Sequence, residues 1–195
     1  IPTKPYSRIK YYEGPFGEAF IDGIFSMHLF KDLIASVDIT NRKVDDSFKN
    51  SAFSIWQVNS KLRYNLSNNV NLIGSYYFSK SETGINGGVN VDKILQTTAN
   101  VNSLLFNETL APVYFDSNSL DSKQHNFGLK ILAKPSENSY TNINFYYKFY
   151  QNEYNAVDTL VKSKSTSKNK LLGALLDQRF AFNPIHVSLQ SGYQS

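Results

Sequence analysis

Hydrophobic and polar residues alternate one by one along much of this chain. Apolar or small residues occupy every second position from Trp56 to Leu66, and polar residues fill the positions between them. After a turn at Ser67–Asn69 the alternation resumes over Val70–Ser81. A period of two residues predicts a β-strand with one apolar and one polar face. Both segments meet or exceed the ~9–11 residues of a strand that crosses a bilayer at a tilt.

The same alternation predicts about eight antiparallel strands in an up-and-down order. The least regular is Leu171–Phe182, because its Leu-Leu-Gly-Ala-Leu-Leu run also suits a short helix and Gln178 falls on its apolar face. We interpret it as a strand, since Asp177 and Arg179 share its polar face. The predicted strands are Glu18–Phe30, Leu33–Arg42, Phe53–Leu66, Val70–Ser81, Lys123–Ala133, Tyr140–Gln151, Leu171–Phe182 and a last one that starts at Ile185.

The connections between these strands alternate between short and long. The predicted short turns are Lys31-Asp32, Ser67–Asn69, Lys134–Ser139 and Asn183-Pro184. The predicted long connections are Asn41–Ala52, Glu82–Ser122 and Asn152–Asn169, and Ile1–Gly17 is expected to be the tail of another. This asymmetry is typical of outer-membrane barrels, which have short periplasmic turns and longer extracellular loops.

The longest connection, Glu82–Ser122, is expected to be an extracellular loop with structure of its own. Within it, Val91–Leu105 carries apolar residues at partly helical spacing, and Asp92 is suited to cap the start of a helix. Such a loop either folds inward and narrows a pore or packs over the barrel mouth or a partner. We take the constriction as the working interpretation.

Charged residues inside the predicted strands fall on the polar face. Segregation of this kind is required of a membrane barrel, because a basic residue that faces the bilayer midplane costs ~2–4 kcal/mol. If the polar face lines water, its charges tune ion selectivity; the alternative is a closed interior joined by salt bridges. The predicted pore-lining residues are Asp38, Arg42, Lys61, Arg63, Lys130, Lys148, Asp177 and Arg179.

Composition narrows the function classes. The 195 residues suit a single domain, and with a mean hydropathy of -0.36 no run approaches the ~18 apolar residues of a membrane helix. There is no cysteine, and His28, His125 and His186 fall in separate predicted strands. We therefore predict no catalytic residue, no metal, no cofactor and no enzyme activity. The net charge of +4 is spread along the chain, which argues against nucleic-acid binding.

The run Phe53-Ser-Ile-Trp-Gln-Val-Asn-Ser-Lys-Leu-Arg-Tyr, its turn and Tyr76-Tyr-Phe-Ser-Lys resemble bacterial outer-membrane β-barrel proteins. They are similar to porins and to the barrels of TonB-dependent receptors. The resemblance implies a transmembrane β-barrel in the outer membrane of a Gram-negative bacterium. Its implied partners are outer-membrane lipid, further copies of the chain, and TonB or another periplasmic protein. Because no leader precedes Ile1 and Ser195 lies inside a predicted strand, we expect residues 1–195 to be one internal barrel segment of a longer protein.

Four functional hypotheses remain open from the sequence. The leading one is porin-like passage of small polar solutes or ions along the charged face. The second is active transport by a TonB-dependent barrel, and the third is a barrel that sheathes a periplasmic partner, such as an electron-transfer cytochrome. The fourth is a soluble or surface-displayed β-protein that binds a ligand, because the strands of sandwiches and lipocalin-like barrels also alternate.

Overall fold

The computed structural model describes residues 4–97, 100–157, 162–182 and 185–195. They form one antiparallel sheet in which nine strands follow each other in chain order and each is hydrogen-bonded to the next. The strands are β1 (Tyr6–Glu13), β2 (Ala19–Phe30), β3 (Leu33–Val44), β4 (Phe53–Ser67), β5 (Val70–Ile85), β6 (Asn118–Ser136), β7 (Ser139–Val157), β8 (Lys162–Phe182) and β9 (Ile185–Gln194). The predicted all-β, up-and-down fold is confirmed, and the described part of the sheet stays open.

The ninth strand comes from the segment predicted as a loop tail. Within Ile1–Gly17, residues Tyr6–Glu13 form β1 and pair with β2 in a continuous antiparallel register. The alternation there is weak, because Ile9 and Tyr11 are the only large apolar residues on one face. An ion pair, which hydrophobic alternation does not detect, joins this strand to its neighbour: Arg8 Nη2 lies 2.5 Å from Asp22 Oδ1 on β2.

The predicted long connection Asn152–Asn169 is also wrong for most of its length. β7 continues to Val157 and β8 begins at Lys162, and the two strands pair residue by residue up to that point. Residues 162–169 are polar on both faces and exposed, so hydrophobic alternation does not detect them. Backbone hydrogen bonds to the neighbouring strand are enough to extend a strand whose side chains bury nothing.

The short turns lie at one end of the sheet, which we call the short-turn end. Lys31-Asp32 and the turn after Ser67 are confirmed, and Leu171–Phe182 is strand rather than helix. The turn predicted at Lys134–Ser139 is tighter: β6 runs to Ser136, with a register shift after Ala133. The turn predicted at Asn183-Pro184 lies outside the described residues.

The register sorts the side chains onto two faces. One, the apolar face, carries large hydrophobic residues that remain open to the surroundings, and the other, the polar face, carries the charged residues that lie at the level of this apolar band. A soluble sheet would bury such a face, whereas lipid leaves it uncovered by protein. Residues on it that are 49% to 70% exposed include Ile9, Met27, Trp56, Leu62, Phe127 and Leu172.

The connection between β5 and β6 has a core of its own. It contains two short helices, α1 (Val91–Thr97) and α2 (Val101–Leu105), as the helical spacing predicted. In the described part of the chain, the only buried hydrophobic residues are Ile94, Ala111 and Val113, all in this connection. None of the described helices is long and apolar enough to cross a membrane.

The start of α1 differs from the prediction in one residue. The backbone N–H of Lys93 donates to Asn90 Oδ1 at 2.9 Å, so Asn90 caps the helix. Asp92, which the sequence suggested as the cap, lies inside the first turn instead. The side chain of the N-cap must precede the first helical residue to reach the free N–H groups, and here the helix begins at Val91.

Candidate functional site

The eight charged residues predicted to line a pore come from five strands of the sheet. β3 carries two, β4 two, β6 one, β7 one and β8 two. In the register, Asn59 pairs with Asp38, Ser36 with Lys61, Ile34 with Arg63, and Asn144 with Lys130. Since directly paired residues share a face, the register assigns all eight to the polar face. Their role in a pore stays a prediction. The eight are Asp38, Arg42, Lys61, Arg63, Lys130, Lys148, Asp177 and Arg179.

Two of the three arginines among them are neutralised by neighbouring carboxylates. Arg42 donates from Nε and Nη2 to Glu18 Oε1, at 3.1 and 2.8 Å. Arg179 lies two residues from Asp177 on the same strand face, and its Nη2 is 2.8 Å from Asp177 Oδ2. Both guanidinium groups are more than half exposed, so these pairs orient charge more than they stabilise the fold.

The three lysines among the eight predicted residues have no carboxylate partner in the described part of the chain. These are Lys61, Lys130 and Lys148. The Lys148 ammonium lies over the ring of Tyr146, 5.4 Å from its centroid, a cation–π arrangement that leaves the charge in place. The polar face therefore has an excess of positive charge across the neighbouring strands β4 to β7.

Two adjoining cavities open on this part of the polar face, and Lys61 lines both. The first has a volume of about 260 Å³ and is also lined by Asn126 and Lys148. The second has a volume of about 330 Å³ and includes Asp38. Asn126 Oδ1 and Asp38 Oδ1 are buried and accept no hydrogen bond from the protein. Oxygen atoms of this kind are normally satisfied by water or by a bound polar solute.

A junction of asparagines joins two long connections at the opposite end from the short turns, the long-connection end. Asn50 Nδ2 donates to the carbonyl oxygens of Ile85, Phe115 and Asn118, at 3.0, 3.2 and 2.9 Å. Its φ of 57° is a left-handed conformation that Asn tolerates better than most residues. An added Cβ at Gly84 would lie 2.6 Å from the Asn50 carbonyl oxygen, so only glycine permits this approach.

Asn118 extends the junction to the next hairpin. Its side chain donates to the Tyr154 hydroxyl at 3.0 Å and accepts from the Val157 N–H at 2.8 Å. Only 3% of Asn118 is exposed, which is rare for an amide that begins a strand. Sequence reasoning missed both Asn50 and Asn118, because the chain is rich in asparagine and both lie in segments predicted as loops.

The histidines provide no metal centre in the described part of the chain. No group of three or more His, Asp or Glu side chains is gathered there. His125 lies on the apolar face, where its Nδ1 is 2.9 Å from the Tyr76 hydroxyl and its ring is 5.1 Å from that of Phe78. Pairing with tyrosine satisfies the imidazole beside aromatic neighbours. The polar face offers groups for hydrogen bonding and electrostatic attraction.

Solved structures with the same strand arrangement are outer-membrane receptors. The ferric-catecholate import receptor Fiu from E. coli, in a closed form, matches 100% of this chain with a TM-score of 0.72 at 11% identity. The ferric citrate transporter FecA, without ligand, matches 91% with a TM-score of 0.69 at 12% identity. A variant of the ferric enterobactin receptor PfeA from Pseudomonas aeruginosa matches 97% with a TM-score of 0.64 at 11% identity.

These matches concern the fold and only part of each neighbour. The chain spans 31% of Fiu, 25% of FecA and 30% of PfeA. No protein-family model and no curated protein sequence matches it. The predicted likeness to TonB-dependent receptor barrels is confirmed at the level of structure: the chain has the fold of part of such a barrel.

Proposed function

We propose that the chain forms part of the wall of an outer-membrane barrel that imports a metal chelate with energy supplied through TonB. The observation that carries this proposal is the match of all nine strands to a receptor barrel, over 100% of the chain with a TM-score of 0.72. The exposed apolar face supports contact with lipid. In this orientation the short turns face the periplasm and the long connections face the outside.

The charge of the polar face supports an anionic solute. Of its eight charged residues considered above, six are basic and two are acidic. Lys61 and Lys148 line one cavity without a carboxylate partner among the described residues. A surface of one sign attracts solutes of the opposite sign and raises their local concentration. Because the neighbours are named for ferric citrate, ferric catecholate and ferric enterobactin, we propose an anionic ferric chelate as the substrate class.

Porin-like passage of small polar solutes or ions is the second candidate. It is supported by the same charged face and its two cavities, which an open, water-filled barrel would also require. The two candidates differ in energy use. A porin conducts down a gradient, whereas a TonB-dependent transporter stops when the proton gradient across the inner membrane is dissipated.

Uptake measurements on cells that make the complete protein separate the two candidates. With ferric citrate and ferric enterobactin as probes, radioactive iron is expected to accumulate and to stop accumulating after an uncoupler is added. A Lys61→Gln/Lys148→Gln variant is expected to take up iron roughly tenfold more slowly at low substrate, because two cavity charges are lost. Lys31→Gln/Lys134→Gln removes the same charge at the short turns and is expected to match the unmodified protein.

Two results would count against active import. Uptake that persists after uncoupling would favour the porin, particularly if liposomes containing the protein swell in small sugars. If both double variants lose the same fraction of the iron uptake rate, net charge rather than the cavity determines uptake.

A further inference from the structure

A shallow groove crosses the apolar face between β4 and β9. Its volume is about 570 Å³, and Leu62, Tyr76, Phe127 and Leu172 line it. Gly74 forms part of its floor, where an added Cβ would meet no atom within 4 Å. A groove with apolar walls on a lipid-facing surface has the shape and polarity to hold an acyl chain.

Four lysines also lie on the apolar face. Each lies between the last apolar residue of its strand on that face and the long-connection end. They are Lys80 on β5, Lys123 on β6, and Lys168 and Lys170 on β8. All four are exposed. Lys80 is held by Glu82 at 2.5 Å, whereas the other three have no ion-pair partner among the described residues.

The register brings the three unpaired lysines close together. Lys123 and Lys168 both pair with Gln151, so their Cα atoms are two strand spacings apart, about 10 Å. Lys170 follows two residues along the strand from Lys168, about 7 Å away. In addition, Lys80 directly opposes Lys123, and like charges in that position destabilise a sheet. An anion held among the ammonium groups would offset the repulsion.

The groove and the lysines adjoin. Leu172 lines the groove, and Lys170 is the next residue of β8 on the same face. The carboxylates of Glu82, Asp121 and Glu153 lie one position further from the groove, and two of them are already held by lysines. A group that approaches from the membrane therefore meets the unpaired lysines before the carboxylates.

We propose that this surface binds an anionic, phosphate-bearing membrane lipid. Its acyl chain occupies the groove over Gly74, and its phosphate lies between Lys123, Lys168 and Lys170. Ammonium groups near a membrane surface attract anionic headgroups, and three together favour a charged lipid over a zwitterionic one. The proposal relies on the membrane location of the proposed function but not on transport.

Native mass spectrometry of the complete protein in detergent tests this proposal. The probes are phosphatidylglycerol and phosphatidylcholine with identical acyl chains. The unmodified protein is expected to bind phosphatidylglycerol at least about tenfold more tightly, and Lys123→Gln/Lys168→Gln/Lys170→Gln is expected to lose that preference. Gly74→Leu fills the groove without a backbone clash and is expected to weaken the binding of both lipids alike.

The control removes three lysines elsewhere: Lys10→Gln/Lys31→Gln/Lys93→Gln is expected to retain the preference. A gel shift between heated and unheated samples verifies that every variant is folded. The proposal is overturned if Lys123→Gln/Lys168→Gln/Lys170→Gln keeps the preference for phosphatidylglycerol, or if the control variant loses that preference equally. It is also overturned if Gly74→Leu binds both lipids as tightly as the unmodified protein. An unmodified protein that transports iron but shows no lipid preference overturns this proposal and leaves the proposed function intact.

Discussion

Two leucines show how strongly the face of the sheet determines the surroundings of a residue. Leu129 on β6 and Leu175 on β8 are almost equally exposed, at 44% and 47%. Leu129 pairs with Gly74 and Phe145 on the apolar face, whereas Leu175 pairs with Asn144 and Gly192 on the polar face. In water the two positions would tolerate the same substitutions. In a membrane barrel one faces lipid and the other faces the interior.

Arginine at these two positions is therefore expected to have unequal effects. Leu129→Arg should lower the free energy of unfolding by about 2–4 kcal/mol, because the charge would lie in the hydrocarbon layer. Leu175→Arg should change it by less than about 1 kcal/mol, since the interior is polar. Urea titration of the complete protein refolded into lipid vesicles measures both. If the two variants lose the same free energy of unfolding, the apolar face does not face lipid.

Individual residues were predictable where the alternation is strong. Lys61 and Arg63 were assigned to the polar face because Trp56–Leu66 alternates without interruption, and the register agrees. Asn50 and Asn118 were not predictable. Their role depends on hydrogen bonds to residues up to 68 positions away, and nothing local distinguishes them from other asparagines.

At the scale of elements, the connection between β5 and β6 behaves as a small folded unit tied to the strands. Its core is around Ile94, and Asn50 binds it to the connection between β3 and β4. Lys49 and Asp116 add an exposed ion pair of 2.9 Å between the same two segments. A connection of 32 residues fixed in this way is less free to move than its length suggests. The predicted constriction of a pore by this element stays a prediction.

Removing the Asn50 amide is expected to loosen this unit without unfolding the sheet. Asn50→Gly keeps the left-handed backbone but loses three acceptor contacts, at a local cost of about 1–3 kcal/mol. Asn50→Ala should cost more, because alanine disfavours a φ of 57°. Hydrogen exchange read by mass spectrometry should accelerate over residues 86–117. The turn at Lys31-Asp32 is the internal reference, and unchanged exchange in Asn50→Gly would refute the role of the junction.

Hydrophobic alternation predicts only the part of each strand that carries apolar residues on one face. It located the middle of β7 and β8 but ended them near Gln151 and Leu171, where the apolar residues stop. The strands continue because their backbones still pair, with Ser163, Ser165 and Ser167 among the side chains. Alternation detects a strand only where one face is continuously apolar, and these extensions have no such face.

For the whole molecule, the open edges of the sheet are the main constraint. Within the described residues β1 and β9 each pair with one neighbour only, which leaves a row of backbone groups unpaired on both sides. Lipid does not tolerate such edges, so membrane insertion needs further strands that close the barrel. This agrees with the 25% to 31% of the receptor chains that the sequence spans.

The depth of the whole sheet in the bilayer can be read from Trp56, the only tryptophan in the chain. It lies on the apolar face, 51% exposed, opposite Asn41 and Lys80, and so at the border between apolar and charged residues. Aromatic residues at such borders lie at the headgroup level. Lipids brominated near the headgroup should therefore quench its fluorescence more strongly than lipids brominated near the chain end. Subtracting the Trp56→Phe signal isolates this residue, and quenching by aqueous iodide alone would contradict a membrane position.

The polar extension of β7 and β8 has a consequence for recognition by other molecules. The 21 residues of β8 would measure about 70 Å if fully extended, far more than a tilted crossing of the hydrocarbon layer requires. In the proposed orientation, this hairpin projects from the cell as a paired, serine- and lysine-rich ribbon. An antibody that binds a preordered ribbon loses less conformational entropy than one that must order a flexible loop. If the proposed orientation holds, we expect antibodies to bind intact cells at this extension.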